Sequence, residues 1–177
     1  MDRVYVSTNT VGTSMTYRRG TTQLSQKSSN ENIGTCAALS TLWIDKMHDN
    51  RPELTKPEQL RAALLFSKNW ITKTGEARTY GNIEGADLTP TGVTETFMNI
   101  QDLLTYVGNN AGYWLIELSE GHFIAAANVN NEYFLYDSNQ ALWMTKDAAE
   151  FKSHGLAYLI NFGWSQNQDI WVYGVTR

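Results

Sequence analysis

The spacing of the apolar residues changes part-way along this chain. Over 35–47, Leu39, Trp43 and Met47 fall every fourth residue and Thr35 stands where a cap is needed, which predicts an amphipathic helix with Cys36 in its first turn. Thr55-Lys56-Pro57-Glu58 has the form of a capping box with proline in the first turn, and Leu60 and Leu64 mark the buried stripe of a second helix over 55–70. Phe97, Ile100, Leu103, Leu104 and Val107 predict a third, closed by Gly108. Beyond it the period becomes two. Trp114, Ile116 and Leu118 alternate, as do Phe123, Ala125, Ala127 and Val129, then Phe134 and Tyr136; apolar runs over 156–162 and 170–175 add further strands. Helices first and antiparallel strands second define an α+β fold.

Two stretches lack a period. Residues 73–94 hold four glycines and a proline and read as a long surface loop that could border a cleft. Residues 1–32 form a polar lead-in: a mobile tail, a leader removed during maturation, or an arm lying across the surface. The expected organisation is therefore a lead-in over 1–32 and a single domain over 33–177.

Composition narrows the function. A chain of 177 residues, 42% apolar and 12% aromatic, buries a real core without metal or disulfide. A net charge of −4, with no basic cluster longer than Arg18-Arg19, argues against a nucleic-acid partner. One cysteine and three scattered histidines offer no metal-ligand spacing, and no cofactor is expected. The start of the chain lacks the basic and apolar regions of a secretory signal, and no run approaches a membrane span, so a soluble protein is expected.

The chemistry centres on Cys36. The turn Asn32-Ile33-Gly34-Thr35 places it at a helix start, where partial positive charge favours the thiolate. His122 and Asp137, on successive strands, complete the residue types of a cysteine hydrolase. A register argument brings them within reach of each other. Asn tolerates positive φ, so Asn130-Asn131 is a two-residue hairpin turn that pairs Val129 with Glu132. Ile124 then faces Asp137 and His122 faces Asn139, which puts Asp137 on the His122 face one diagonal step away and makes Asn139 the alternative third member. The backbone N–H of Cys36 is one expected oxyanion donor, and Asn30, Asn32 and Gln26 are candidates for a side-chain donor. His48, at the far end of the first helix, suits a helix C-terminus rather than a base, and His154 reads as a loop residue. The tryptophans are expected to pack.

The motifs Gly34-Thr35-Cys36-Ala37-Ala38-Leu39-Ser40, Gly121-His122-Phe123-Ile124-Ala125 and Tyr136-Asp137-Ser138-Asn139 resemble those of papain-like cysteine peptidases. The likeness is greatest to the YopT-type branch of bacterial effectors, and secondarily to peptidases that trim bacteriocin leaders. It spans about 30–139. The chain departs from the effector pattern at Ser138, where proline is usual. What the resemblance implies is a papain-like fold, with a Cys-bearing helix packed on an antiparallel sheet that carries His and Asp. It also implies Cys36 as nucleophile, His122 as base and Asp137 as orienting acid, acting on a protein substrate. An effector or toxin would be secreted or translocated without a cleaved signal, with a delivery chaperone or inhibitor protein as candidate partners. Related folds deamidate or transamidate, and cell-wall amidases also use Cys-His pairs. Outside enzymes, the alternative is an α+β binding module in which Cys36 and His122 are core residues.

Overall fold

The computed structural model describes residues 2–6, 29–49, 61–62, 64–65, 68–69, 73, 75–138 and 140–177. Their order is β1 (Asp2–Val6), α1 (Ser29–His48), α2 (Glu76–Gly85), β2 (Thr89–Asn99), α3 (Ile100–Asn109), β3 (Gly112–Glu117), β4 (Phe123–Val129), β5 (Glu132–Asp137), β6 (Ala141–Thr145), α4 (Ala148–Asn161) and β7 (Asn167–Thr176). A 3₁₀ turn, Ser119–Gly121, joins β3 to β4. Among the described residues seven strands form one antiparallel sheet in the order β1-β6-β5-β4-β3-β7-β2.

The sheet is covered on both sides. Against one face, α1 and α2 pack Leu39, Trp43, Met47 and Ile83 onto Leu115, Phe123, Ala125 and Tyr136. Against the other, α3 and α4 pack Leu103, Leu104, Phe151 and Leu159 onto Ile116, Ile124, Ala126 and Leu135. This explains why β4 reads as an unbroken apolar run, Phe123-Ile124-Ala125-Ala126-Ala127: a strand buried on both faces has no polar side to alternate with.

Local chemistry sets several boundaries. Asn130 and Asn131 adopt φ of 54° and 62°, the left-handed pair that a two-residue hairpin turn requires. Val129 accordingly pairs with Glu132 and Ala125 with Tyr136. Asn99 begins α3 by accepting the Asp102 amide at 2.8 Å, which moves Phe97 out of the expected helix and into β2. Asp147 caps α4, accepting the amides of Ala149 and Glu150 at 2.8 and 3.1 Å.

Elsewhere the structure departs from the sequence pattern. The stretch 73–94 is not a loop: it forms α2 and the start of β2. Two of its glycines serve close approach instead, because a Cβ on Gly81 would run into Asn69 Oδ1 and one on Gly85 would lie 2.5 Å from Leu65 Cδ2, while Gly75 and Gly92 take positive φ of 57° and 87°. The capping box at 55–58 and Leu60 lie outside the described residues. Residues 61–62 and 64–65 are helical, but Leu65 is the buried leucine and Leu64 is 70% exposed. The run 156–162, expected as a strand, belongs largely to α4, as does His154, expected in a loop; once Asp147 caps the helix, packing against α3 holds it. Strand β6 (Ala141–Thr145) has no counterpart in the sequence pattern.

Two corrections bear on the site. Helix α1 starts at Ser29, so the expected turn at 32–35 is helical and Cys36 lies about two turns in. A glycine inside a helix costs only about 1 kcal/mol, and Gly34 is tolerated because the buried face from Cys36 to Met47 anchors the helix on the sheet. Within the expected lead-in over 1–32, Asp2–Val6 pairs with β6 and residues from Ser29 onward belong to α1, while 7–28 lie outside the described residues.

Candidate active site

Helix α1 is docked onto the two strands that carry His122 and Asp137. Ser40, one turn beyond Cys36 and so on the same helix face, donates its hydroxyl to the Phe123 carbonyl at 3.2 Å, next to His122. Trp43 stacks on Tyr136, next to Asp137, with ring centroids 5.2 Å apart and planes 1° from parallel. These two contacts bring the cysteine to the end of the sheet where the other two residues sit.

His122 follows the tight turn between β3 and β4. Gly121 has a φ of +76°, a conformation suited to glycine, and the turn closes with Leu118 N–H donating to the His122 carbonyl at 2.8 Å. The ring donates Nε2–H to Asp137 Oδ1 at 3.0 Å, and both side chains are buried. Burial opposes charge on this imidazole. The charge of Asp137, the charge of Cys36 and hydrogen bonds to both outweigh that penalty and push its pKa from 6.5 up to about 10. The structure thus brings Cys36, His122 and Asp137 together, with Nδ1 as the ring nitrogen left for the sulfur. Cys36 is itself only 1% exposed.

The expected oxyanion donors fare differently. Because α1 begins at Ser29, the amide of Cys36 lies beyond the four unpaired donors of the first turn and falls within the helical hydrogen-bond ladder. Asn30 and Asn32 lie on the helix rather than in a preceding turn. Gln26 and Asn139 fall outside the described residues. Of the rival histidines, His48 hydrogen-bonds the Ile44 carbonyl at 2.9 Å and stacks on Tyr113. His154 pairs with Glu150 at 3.3 Å on the exposed side of α4.

Two features were missed in the sequence. Trp164, in the connection between α4 and β7, stacks on His122 with centroids 4.8 Å apart and planes 9° from parallel, covering one face of the ring. Nothing in the spacing of the tryptophans singled it out. The second is a cavity of about 230 Å³ lined by Gly75, Glu76, Thr79, Glu117, Trp171 and Tyr173. It opens on the α1 side of the sheet, since Leu115 and Tyr173 belong to that core, and Glu117 pairs with Phe123 beside His122. Burial raises the Glu117 carboxyl above its ordinary range, a hydrogen bond from Tyr173 opposes this, and the charge of Glu76 adds to it.

No family model matches this chain, and no curated protein does. Among solved structures it is similar to the crystal structure of the Pseudomonas avirulence protein AvrPphB, with 15% identity and a TM-score of 0.62, over 81% of this chain and 92% of that one. At this identity the likeness is one of fold. The chain has the papain-like α+β arrangement, a cysteine-bearing helix packed on an antiparallel sheet that carries the histidine and the aspartate.

Proposed function

We propose that this chain is a cysteine protease of bacterial effector type. Cys36 Sγ, its proton already passed to His122 Nδ1, attacks the carbonyl carbon of a peptide bond. The C–N bond then breaks, the imidazolium protonates the departing amine, and an acyl thioester remains on Cys36. Water adds to that thioester, giving its proton to His122, and the acid is released with the thiol restored. Asp137 holds the ring through Nε2 and stabilises its charge. The acidic, aromatic-walled cavity beside Glu117 receives part of the substrate. The observation that carries the reading is the buried His122–Asp137 hydrogen bond at 3.0 Å on a ring that also interacts with Cys36. The likeness of fold to a protein described as an avirulence protein supports the effector role.

One observation favours a second reading, a non-catalytic α+β module. Cys36 is 1% exposed and its amide lies in the helical ladder, as suits a core residue. Proteome-wide mapping of new N-termini, after incubating a cell lysate with the wild-type chain or with Cys36→Ala, separates the two. New termini that require Cys36 support the protease. Identical maps overturn it, and side-chain amides converted to acids with intact backbones would replace proteolysis by deamidation.

A further inference from the structure

The ring of His122 is held between two segments far apart in sequence. It follows the turn Ser119–Gly121, and its face is covered by Trp164. Each segment is closed by its own bonds, Gly121 N–H to the Leu118 carbonyl at 3.1 Å and Trp164 N–H to the Leu159 carbonyl at 3.1 Å. Neither set of bonds fixes the distance between them.

Among the described residues, one side chain spans the gap by hydrogen bonds. Gln168 Oε1, at the start of β7, accepts both the amide and the hydroxyl of Ser119, at 2.8 and 2.7 Å. Its Nε2 donates to the Ser165 carbonyl, beside Trp164, at 2.6 Å. A primary amide carries an acceptor and a donor on one rigid plane, so it ties an N–H on one side to a C=O on the other. A carboxylate keeps only the first tie and an aliphatic side chain keeps neither.

We propose that Gln168 is a positioning residue that sets the spacing between the turn leading to His122 and the loop of Trp164, and so holds the imidazole at the angle at which it meets Cys36. The inference rests on the reading of His122 as the base. A buried ring that must face a sulfur on one side and a carboxylate on the other tolerates little rotation, and the hydrogen bonds of Gln168 go to Ser119 and Ser165.

The test uses the full chain with labelled histidine and reads the ring signals of its three histidines by NMR, with His122 assigned by its loss in His122→Gln. Protons over an indole face resonate upfield. In Gln168→Leu the His122 signals should move downfield while those of His48 and His154 stay, and iodoacetamide should modify Cys36 about tenfold or more slowly than in the wild type. Gln168→Glu, which keeps the acceptor for Ser119, should fall between the two and carries the test if the leucine variant does not fold. Asn128→Ala is the control. It removes bonds to the carbonyls of Val107, Gly108 and Asn110 at 2.9, 3.3 and 3.1 Å, away from His122, so it should leave the ring signals in place whatever it does to stability. His122 signals at wild-type positions in a folded Gln168→Leu chain with a reactive Cys36 would overturn the inference and leave the protease reading standing. Ring signals that move in a chain whose wild-type Cys36 does not react would overturn the protease reading instead.

Discussion

Ser40 donates its hydroxyl to the carbonyl of Phe123 across 3.2 Å, bonding the helix of Cys36 to the backbone beside His122. This is a direct link between the two elements that must stay in register for sulfur and imidazole to meet. Ser40→Ala should cost about 1–2 kcal/mol in urea unfolding, the usual worth of a buried hydrogen bond. It should also slow alkylation of Cys36. Thr41→Val makes the comparison, because the Thr41 hydroxyl bonds the Ala37 carbonyl at 2.6 Å inside the same helix and spans nothing. Its effect on alkylation should be smaller at equal loss of stability.

The titration of His122 ties stability to pH. In the fold, burial disfavours the charged ring, yet Asp137 and Cys36 prevail and raise its pKa from 6.5 to about 10. A raised pKa means that the folded state binds the proton more tightly than the unfolded state. The stabilisation is therefore complete below 6.5 and is lost as the pH rises through about 10. Urea unfolding below 6.5 and again near 10 should show that fall, and His122→Gln should flatten it.

Removing the carboxylate should reverse the balance on the ring. In Asp137→Asn, burial remains the largest influence while the main attraction is gone, so NMR should find His122 losing its proton well below its value in the wild type. If the proposed chemistry holds, proteolysis should drop roughly 10²- to 10⁴-fold, the scale seen when a triad loses its orienting acid. Cys36→Ala should abolish it.

Gly81 tests the packing of α2. Its missing side chain admits Asn69, whose Oδ1 an added Cβ would run into. Gly81→Ala gains about 1 kcal/mol of helix propensity against an overpacking cost of about 1–3 kcal/mol as the ends of Asn69 and Lys73 move, so thermal unfolding should show a net loss of no more than about 2 kcal/mol. A neutral effect would show that Asn69 can withdraw freely.

Much of the sheet was legible from local chemistry. Apolar positions two residues apart marked β3, β4 and β5, and Asn130-Asn131 set a register that puts Asp137 on the His122 side. Both signals lie within a few residues of the structure they describe. The helix start, β2 and α4 were misread for the opposite reason. Whether Gly81 and Gly85 mark a loop or a close contact depends on Asn69 and Leu65, and whether an apolar run such as 156–162 coils or extends depends on the layer it packs against.

The sequence by itself determined the α+β order, the hairpin and the three residue types of the candidate site, because period, turn conformation and composition are local properties. Only the tertiary structure decided that Nε2 of His122 faces Asp137, that Trp164 covers the ring, that Gln168 ties their two segments, and that Cys36 lies two turns into its helix rather than in the first. The ring contacts join segments that no local pattern relates, and the length of α1 follows from the buried face that anchors it on the sheet.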